Sequence, residues 1–336
     1  MSSQQMTPGL DLPCIAFHGY DRSTVMLSLS EHKRVAAGDI TDDVLNNKVV
    51  SPTAQGLLLV RDPDTMATFL YNPATGDKVQ LPPLRGVDDD VLLYSHCLLS
   101  DKPSAPGCIV LLVEGGDDTF IWYCHPEDDQ WKKYEYDIGS HVLPYPGEEE
   151  DQIEKEVICS IAACHGKFYF DCSAADLRVI DFSSSSHEPV ITAITIDDTV
   201  TNDSSNGHDD DDRPPCQTYL VESDGELYMV RLLVVLPFEN GDEIDRVSVH
   251  RMDFSKRRWC NVSDLGGRAF LVSRFYFGAS CSGAEHGLLP DRVYFVSARN
   301  NTLQVFDVRD GSYEVQKLDK APEVHKAFWL LPTANP

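Results

Sequence analysis

Along this chain short apolar runs are broken at close intervals by Gly, Pro, Asp, Asn and Ser, and no stretch sustains the three-and-four spacing of an amphipathic helix. Ile15 to His18 and Val25 to Leu29 bracket a polar turn. Gly56 to Val60 runs into Arg61-Asp62-Pro63-Asp64, and Thr68 to Asn72 and Lys78 to Leu81 flank Pro73-Ala74-Thr75-Gly76-Asp77. These breaks hold the residue types that tight turns require, so the pattern predicts strands joined as meanders.

The unit then recurs. A second round runs Val91 to Leu99, Cys108 to Val113, Thr119 to Cys124 and Trp131 to Tyr136. A third runs Val157 to Ala163, Lys167 to Asp171, Leu177 to Phe182 and Val190 to Ile196. A fourth runs Gln217 to Glu222, Glu226 to Leu236, Asp245 to Asp253 and Trp259 to Val262, with Ser223-Asp224-Gly225 as a hairpin turn. The last has Ala269 to Val272, Arg292 to Ser297, Thr302 to Asp307 and Tyr313 to Leu318. About four strands in roughly 45 to 55 residues is the period of a propeller blade and not of a helical repeat. The expectation is therefore an all-β chain, a β-propeller of about six blades of four-stranded antiparallel sheets. The apolar segment Ala327 to Pro332 is expected to pair with the first blade and close the ring. Residues 1–12 read as a disordered tail and 13–332 as one domain, with mobile acidic loops at about 139–156 and 197–215.

Val247 to Val296 is the best-marked stretch. Trp259 follows a basic turn, Gly266-Gly267 is expected to make the crossing between two blades, and Phe270 to begin the last blade. Tyr294, Phe295 and Asp307 complete a structural blade motif with Trp259. Trp122, Trp131, Trp259 and Trp329 are expected to pack between blades, where each buries roughly 150 to 250 Å².

Charge narrows the choice of partners. With 54 acidic against 28 basic residues and a net charge of -26, the surface repels phosphate backbones and anionic lipid, so nucleic acid and membrane are not expected. The N-terminus lacks the basic and apolar regions of a signal peptide, and no run reaches the roughly 20 apolar residues of a span. The expectation is a monomer in the cytoplasm, the nucleus or both. Sequons at Asn202, Asn261 and Asn300 then read as chance matches. The ten cysteines lack the dense spacing of a secreted disulfide scaffold and read as reduced, mostly buried thiols.

Few residues suggest chemistry. Cys159, Cys164, His165 and Cys172 cluster in sequence, but without zinc-site spacing, and they read as packing. Asp88 to Asp90 and Asp209 to Asp212 lack the register of a calcium loop and read as solvated loops. Gly278-Ala279-Ser280-Cys281-Ser282-Gly283 has the wrong spacing for a nucleophile elbow and reads as a connector, with Cys281 and His286 near one another in sequence. Lys256-Arg257-Arg258 reads as a solvated turn. Neither a catalytic, metal nor cofactor site is expected.

GLLLVRDPDTMATFLYNPATGDKVQLPPL, then WCNVSDLGGRAFLVSRFYFGASCSGAEHGLLPDRVYFV, then AFWLLP resemble, in this order, the plant F-box-associated β-propeller family, also called KIB-type (domain of unknown function 295). The resemblance spans Asp11 to Pro332. It implies a kelch-like propeller acting as a protein-binding module, often the substrate receptor of an SCF-type ubiquitin ligase. About a dozen residues precede the first strand, so a propeller lacking the F-box is expected. The functional expectation is a non-catalytic module that binds a protein through loops on one face of the ring. Its alternatives are ligase substrate receptor and propeller-fold hydrolase with a central-channel site.

Overall fold

Six blades arranged as a ring account for the strand pairing in the computed structural model. It describes residues 12–18, 22, 24–29, 34–35, 42–116, 119–143, 152–170, 176–183, 188–196, 216–234, 244–273, 277–297, 299–318 and 326–332. Blade 1 contains β1 (Cys14–His18), β2 (Thr24–Ser28) and β3 (Arg34–Val35). Blade 2 follows with β4 (Val49–Pro52), β5 (Leu58–Arg61), β6 (Thr68–Tyr71) and β7 (Lys78–Leu81), and blade 3 with β8 (His96–Leu99), β9 (Val110–Val113), β10 (Phe120–Cys124) and β11 (Lys132–Glu135). A two-stranded sheet, β12 (Ser140–Leu143) and β13 (Gln152–Lys155), intervenes. Blade 4 is β14 (Ile161–Cys164), β15 (Lys167–Phe170), β16 (Asp176–Asp181) and β17 (Val190–Thr195), and blade 5 is β18 (Cys216–Ser223), β19 (Glu226–Val234), β20 (Ile244–Asp253) and β21 (Arg258–Val262). Blade 6 has five strands: β22 (Arg268–Ser273), β23 (Ala279–Ser282), β24 (Arg292–Ser297), β25 (Thr302–Asp307) and β26 (Tyr313–Lys317). The last strand, β27 (Lys326–Leu330), pairs antiparallel with β1 as the innermost strand of blade 1, so the two ends of the chain close the ring as expected.

The recurring strand end in Asp or Asn has a physical cause. After Asp62, Asn72 and Asp307 the chain makes the same turn. The N–H of the first residue donates to the carbonyl five positions on, at 2.9, 2.9 and 2.8 Å, and the fifth residue (Met66, Gly76 or Gly311) has positive φ and donates back to the first. The side-chain oxygen satisfies the exposed amides inside the turn. Asp62 Oδ1 accepts from Asp64 and Thr65 at 3.0 Å, Asn72 Oδ1 from Ala74 at 2.9 Å, and Asp307 Oδ1 from Arg309 at 2.8 Å. Asp253 uses its Oδ1 in the same way for Lys256 at 3.0 Å. A short polar side chain that hydrogen-bonds its own turn is what these positions need.

The core lies between blades and not at the ring axis. Among the described residues it divides into six apolar clusters, one for each interface between neighbouring blades. Trp122 and Trp131 fill the wedge between blades 2 and 3, Trp259 that between blades 4 and 5, and Trp329 that between blades 6 and 1. All four tryptophans are buried. Trp131 Nε1 donates to Pro82 O at 2.8 Å and Trp329 Nε1 to Val272 O at 2.9 Å, each tying one blade to the next.

Several sequence expectations are corrected. Val91 to Leu99 is not one strand: α2 (Asp89–Tyr94) occupies its first half, following the short α1 (Asp42–Leu45). Asp88 to Asp90 is not a solvated loop either. Asp89 opens α2 and binds Arg61 and, at 2.7 Å, Arg22. Arg61 is 1% exposed and also donates to Val87 O at 2.6 Å, so the polar residue that seemed to begin a turn staples the link between blades 2 and 3. The segment 139–156 carries the β12–β13 hairpin on its flanks, whereas 144–151 and 197–215 lie outside the described residues. Gly278 to Gly283 is not merely a connector, since Ala279 to Ser282 form β23 against β22. That extra strand leaves β22 and β24 running parallel, the exception to antiparallel pairing in the blades.

Candidate functional site

The innermost strands touch one another around the axis, with β22, next to β23, meeting β27 to close the circuit, and they point their C-terminal ends to one face. There a cavity of about 810 Å³ opens, with wall residues from blades 1, 2, 4, 5 and 6. Gln55 follows β4, Ala162 and Ala163 lie in β14, Glu222 is at the end of β18, Ser280 to Ser282 come from β23, and Pro332 follows β27. Glu285 and His286 hang over the rim on a single helical turn, Ala284–His286.

Local hydrogen bonds hold the polar wall in place. The turn joining β18 to β19 is Asp224-Gly225, with φ of 52° and 79°, the backbone of a type I′ hairpin. Within it the Gly225 N–H donates to Glu222 Oε1 at 2.8 Å. Ser223 and Ser280 share a hydrogen bond of 2.8 Å between blades 5 and 6. Arg268 Nε donates to Ser280 Oγ at 3.0 Å and its Nη1 pairs with Asp224 at 3.3 Å. Blade 5 approaches blade 6 so closely that a Cβ on Gly278 would come 2.4 Å from Val221 Cγ2, so glycine is required there. Gln55 Oε1 is covered and has no partner among the described residues.

The opposite end is closed. His96, at the start of β8, and Phe277, just before β23, belong to blades half a ring apart, yet their ring centroids are 6.5 Å apart in an edge-on contact. Lys326, at the start of β27, is 4% exposed and donates to Leu93 O at the end of α2 and, at 3.5 Å, to Val50 O of β4. Burial pushes the Lys326 ammonium well below its ordinary value and lowers His96 to about 4, with the nearby lysine adding to the shift. The cavity is thus a funnel with a polar mouth and a packed floor.

The residues singled out in sequence fall on both sides of this division. Phe270, Tyr294 and Phe295 are buried in blade 6, and Trp259 is buried in the outer strand β21. Asp307 pairs with its register neighbour Arg292 at 2.7 Å. Gly266 and Gly267 have φ of 67° and 79°, a succession that turns the chain between blades and that side chains resist. What sequence reasoning missed is their anchor, Asp291. Its buried Oδ1 accepts from the amides of Leu265 at 2.8 Å and Gly267 at 3.1 Å, and its Oδ2 pairs with Arg309. Burial raises its pKa, but these partners win and hold the carboxyl below its ordinary value. A lone Asp before a strand of hydrophobic residues gave no local sign of that distant crossing.

The candidate chemistry is dispersed. Cys281 is 4% exposed, and burial pushes its thiol up to about 11, which removes most of its nucleophilic character near neutral pH. Cys164 is buried, with its thiol raised to about 12 by burial, while Cys159 and His165 are exposed. Cys172 and Asp209 to Asp212 lie outside the described residues. Lys256 pairs with Asp253 at 3.3 Å within its turn. Among the described residues, no group of three His, Cys, Asp or Glu is placed to hold a metal ion, and no helix is long and apolar enough to cross a membrane.

Two solved structures align with most of the chain. A nidogen/laminin complex does so at 9% identity and a TM-score of 0.46, covering 95% of this chain and 98% of that one. The Cps50 (Swd1) β-propeller domain of Myceliophteria thermophila does so at 13% identity and a TM-score of 0.37, covering 94% and 88%. No curated protein matches the chain. The match to the KIB1-4 β-propeller family runs over residues 26–314, from β2 into β26, and the chain belongs to that family.

Proposed function

We propose that this propeller is a non-catalytic protein-interaction module and that it receives its protein partner at the mouth of the funnel. The observation that carries this reading is a rigid polar rim, built from several blades, around an opening closed at its far end. Five blades contribute to the wall, so the shape is set by the ring and not by one loop. The charged groups there are already engaged in structural bonds, Asp224 with Arg268 and Glu222 with its own turn, as suits a preorganised contact surface. A few anchors at such a rim, and not its total area, would set affinity.

Proximity labelling in plant cells, with the intact chain compared to a Glu222→Gln/Glu285→Gln/His286→Ala variant, tests this. Loss of a defined set of labelled proteins at unchanged melting temperature is expected. An unchanged set would remove the mouth as the binding face. Ligase-receptor activity rests on the family resemblance alone. Co-purification with the ligase scaffold's linker subunit would support it, and a negative pull-down with the intact protein would remove it. Cytoplasmic or nuclear residence is part of the proposal, and the same labelling reports it.

A further inference from the structure

The wall of the funnel mouth carries more acid than base. Among its described residues Glu222, Asp224 and Glu285 outnumber Arg268 and His286, so the balance stays negative whether or not the imidazole is protonated. Arg268 is already answered: its Nη1 pairs with Asp224 at 3.3 Å and its Nε donates to Ser280 Oγ at 3.0 Å. Two carboxylates are left over. Glu222 uses Oε1 for the Gly225 N–H at 2.8 Å, and its Oε2 has no hydrogen bond or ion pair among the described residues. Glu285 extends from the exposed helical turn at the rim, and its carboxylate makes none either.

Two such carboxylates are ordinary on a chain of net charge -26, and alone they would mark a solvated face. Here they stand over an enclosure of about 810 Å³, within the size range of pockets that take up a ligand. Set back from the strand ends, Ala162, Ala163 and Ala279 line the same wall, and their small side chains leave it room. The wall also holds an acceptor that lacks a donor. Gln55, half-buried, donates Nε2 to Leu99 O at 3.2 Å, while its covered Oε1 has no partner among the described residues. A covered acceptor without a partner is rare and calls for a donor. A phosphate or carboxylate would enter against this balance. A cation would neutralise it where water is partly excluded and charge pairing is stronger than on an open surface.

We infer that the mouth takes a cationic side chain of the protein partner, an arginine or a lysine: its aliphatic stem lies against the alanine wall, and its charged head meets Glu222 Oε2 and Glu285. The inference rests on the protein-binding reading of the same mouth and adds the chemistry of what enters.

The test uses the full chain and three tetramethylrhodamine-labelled peptides of equal length in a Gly/Ser frame, with arginine, citrulline or glutamate at the same central positions. Citrulline keeps the shape of arginine and loses its charge. Fluorescence anisotropy at near-physiological salt should show the arginine peptide binding at least roughly tenfold more tightly than either of the others. Glu222→Gln/Glu285→Gln should abolish that preference at an unchanged melting temperature. Glu127→Gln/Asp129→Asn removes the same charge from the exposed turn between β10 and β11 and should keep it. The inference is overturned if citrulline binds as well as arginine or if the mouth variant keeps the preference. It is also overturned if the turn variant loses the preference, which is general attraction to an acidic protein. Proximity labelling separates this inference from the reading beneath it. Labelled proteins lost in the mouth variant, with no arginine preference, would keep the mouth as the binding face and overturn its cationic occupant. An arginine preference carried by Glu222 and Glu285, with the labelled set unchanged, would keep the cation site and overturn its protein source.

Discussion

The two ends of the funnel belong to one ring of strands and differ in almost every other respect. At the floor the N-terminal ends of β8 and β27 bring His96 and Lys326 into burial, and the His96 ring meets Phe277 from across the axis. At the mouth the C-terminal ends of β4, β18 and β23 present Gln55, Glu222 and Ser282 toward an opening. A closed ring therefore separates its tasks by height: one end holds the blades in register and the other is left to meet a partner. Substitutions should separate in the same way.

The largest effect should come from the floor. Phe277→Ala removes the ring that spans the axis and should destabilise the chain by about 3 to 5 kcal/mol, measured by urea unfolding. Little effect would mean that the floor is not packed as a unit. Next is the crossing between blades 5 and 6. Asp291→Ala leaves the Leu265 and Gly267 amides and Arg309 without their acceptor and should cost about 2 to 4 kcal/mol. Because Asp291 supports a crossing and not the funnel wall, its loss should lower stability without altering which proteins are labelled.

Acid should act on two buried histidines, His96 at the floor and His250 in β20, before it acts on the turns. His96 is lowered by burial to about 4, and so is His250, where burial leads and Arg231 adds. The unfolded chain takes up protons on these groups as pH falls below about 6.5, while the folded chain resists until about 4. Stability should therefore fall through that window and level off below it, by about 2 to 4 kcal/mol per histidine. His96→Phe should flatten the dependence of the urea midpoint on pH. Asp62, Asp181 and Asp253 are held at about 2, the first two chiefly by lysine partners and Asp253 by Ser255, so their stabilisation is lost only as pH falls from about 4 toward 2. The smallest effect should come from the mouth. Glu222→Gln, Glu285→Gln and His286→Ala together should change stability by less than about 1 kcal/mol, because a glutamine amide oxygen can still accept from the Gly225 N–H and the other two side chains lie on the rim outside the core.

How far the sequence reveals this molecule depends on whether its signals are local. The turns after Asn72, Asp253 and Asp307 are local, since one side chain and the next five residues suffice, and they expose the blade repeat. The closing strand is legible because Ala327 to Leu331 is an apolar run with nothing to pair beside it. β4 is obscured by Pro52, a residue that argues against a strand except at its ends, and β23 by its small residues Ala279, Ser280 and Cys281, which carry no alternating pattern. α2 reads as strand because Val91, Leu92 and Leu93 are continuous, whereas acids at Asp89 and Asp90 favour a helix start and Arg61 holds Asp89 there. Arg61 and Asp291 are illegible for one reason: each takes its role from a partner tens of residues away. The mouth is likewise assembled from five blades, so no segment of sequence announces it.

The account's central claim is that binding and stability are divided between mouth and floor. Proximity labelling and thermal melting of the Glu222→Gln/Glu285→Gln/His286→Ala variant, set beside Phe277→Ala below its melting temperature, test it most directly. The division predicts that the mouth variant melts with the intact chain and loses its labelled partners, while the floor variant melts earlier and keeps them. A mouth variant that keeps the full set of partners, with the floor variant losing them while still folded, would contradict it.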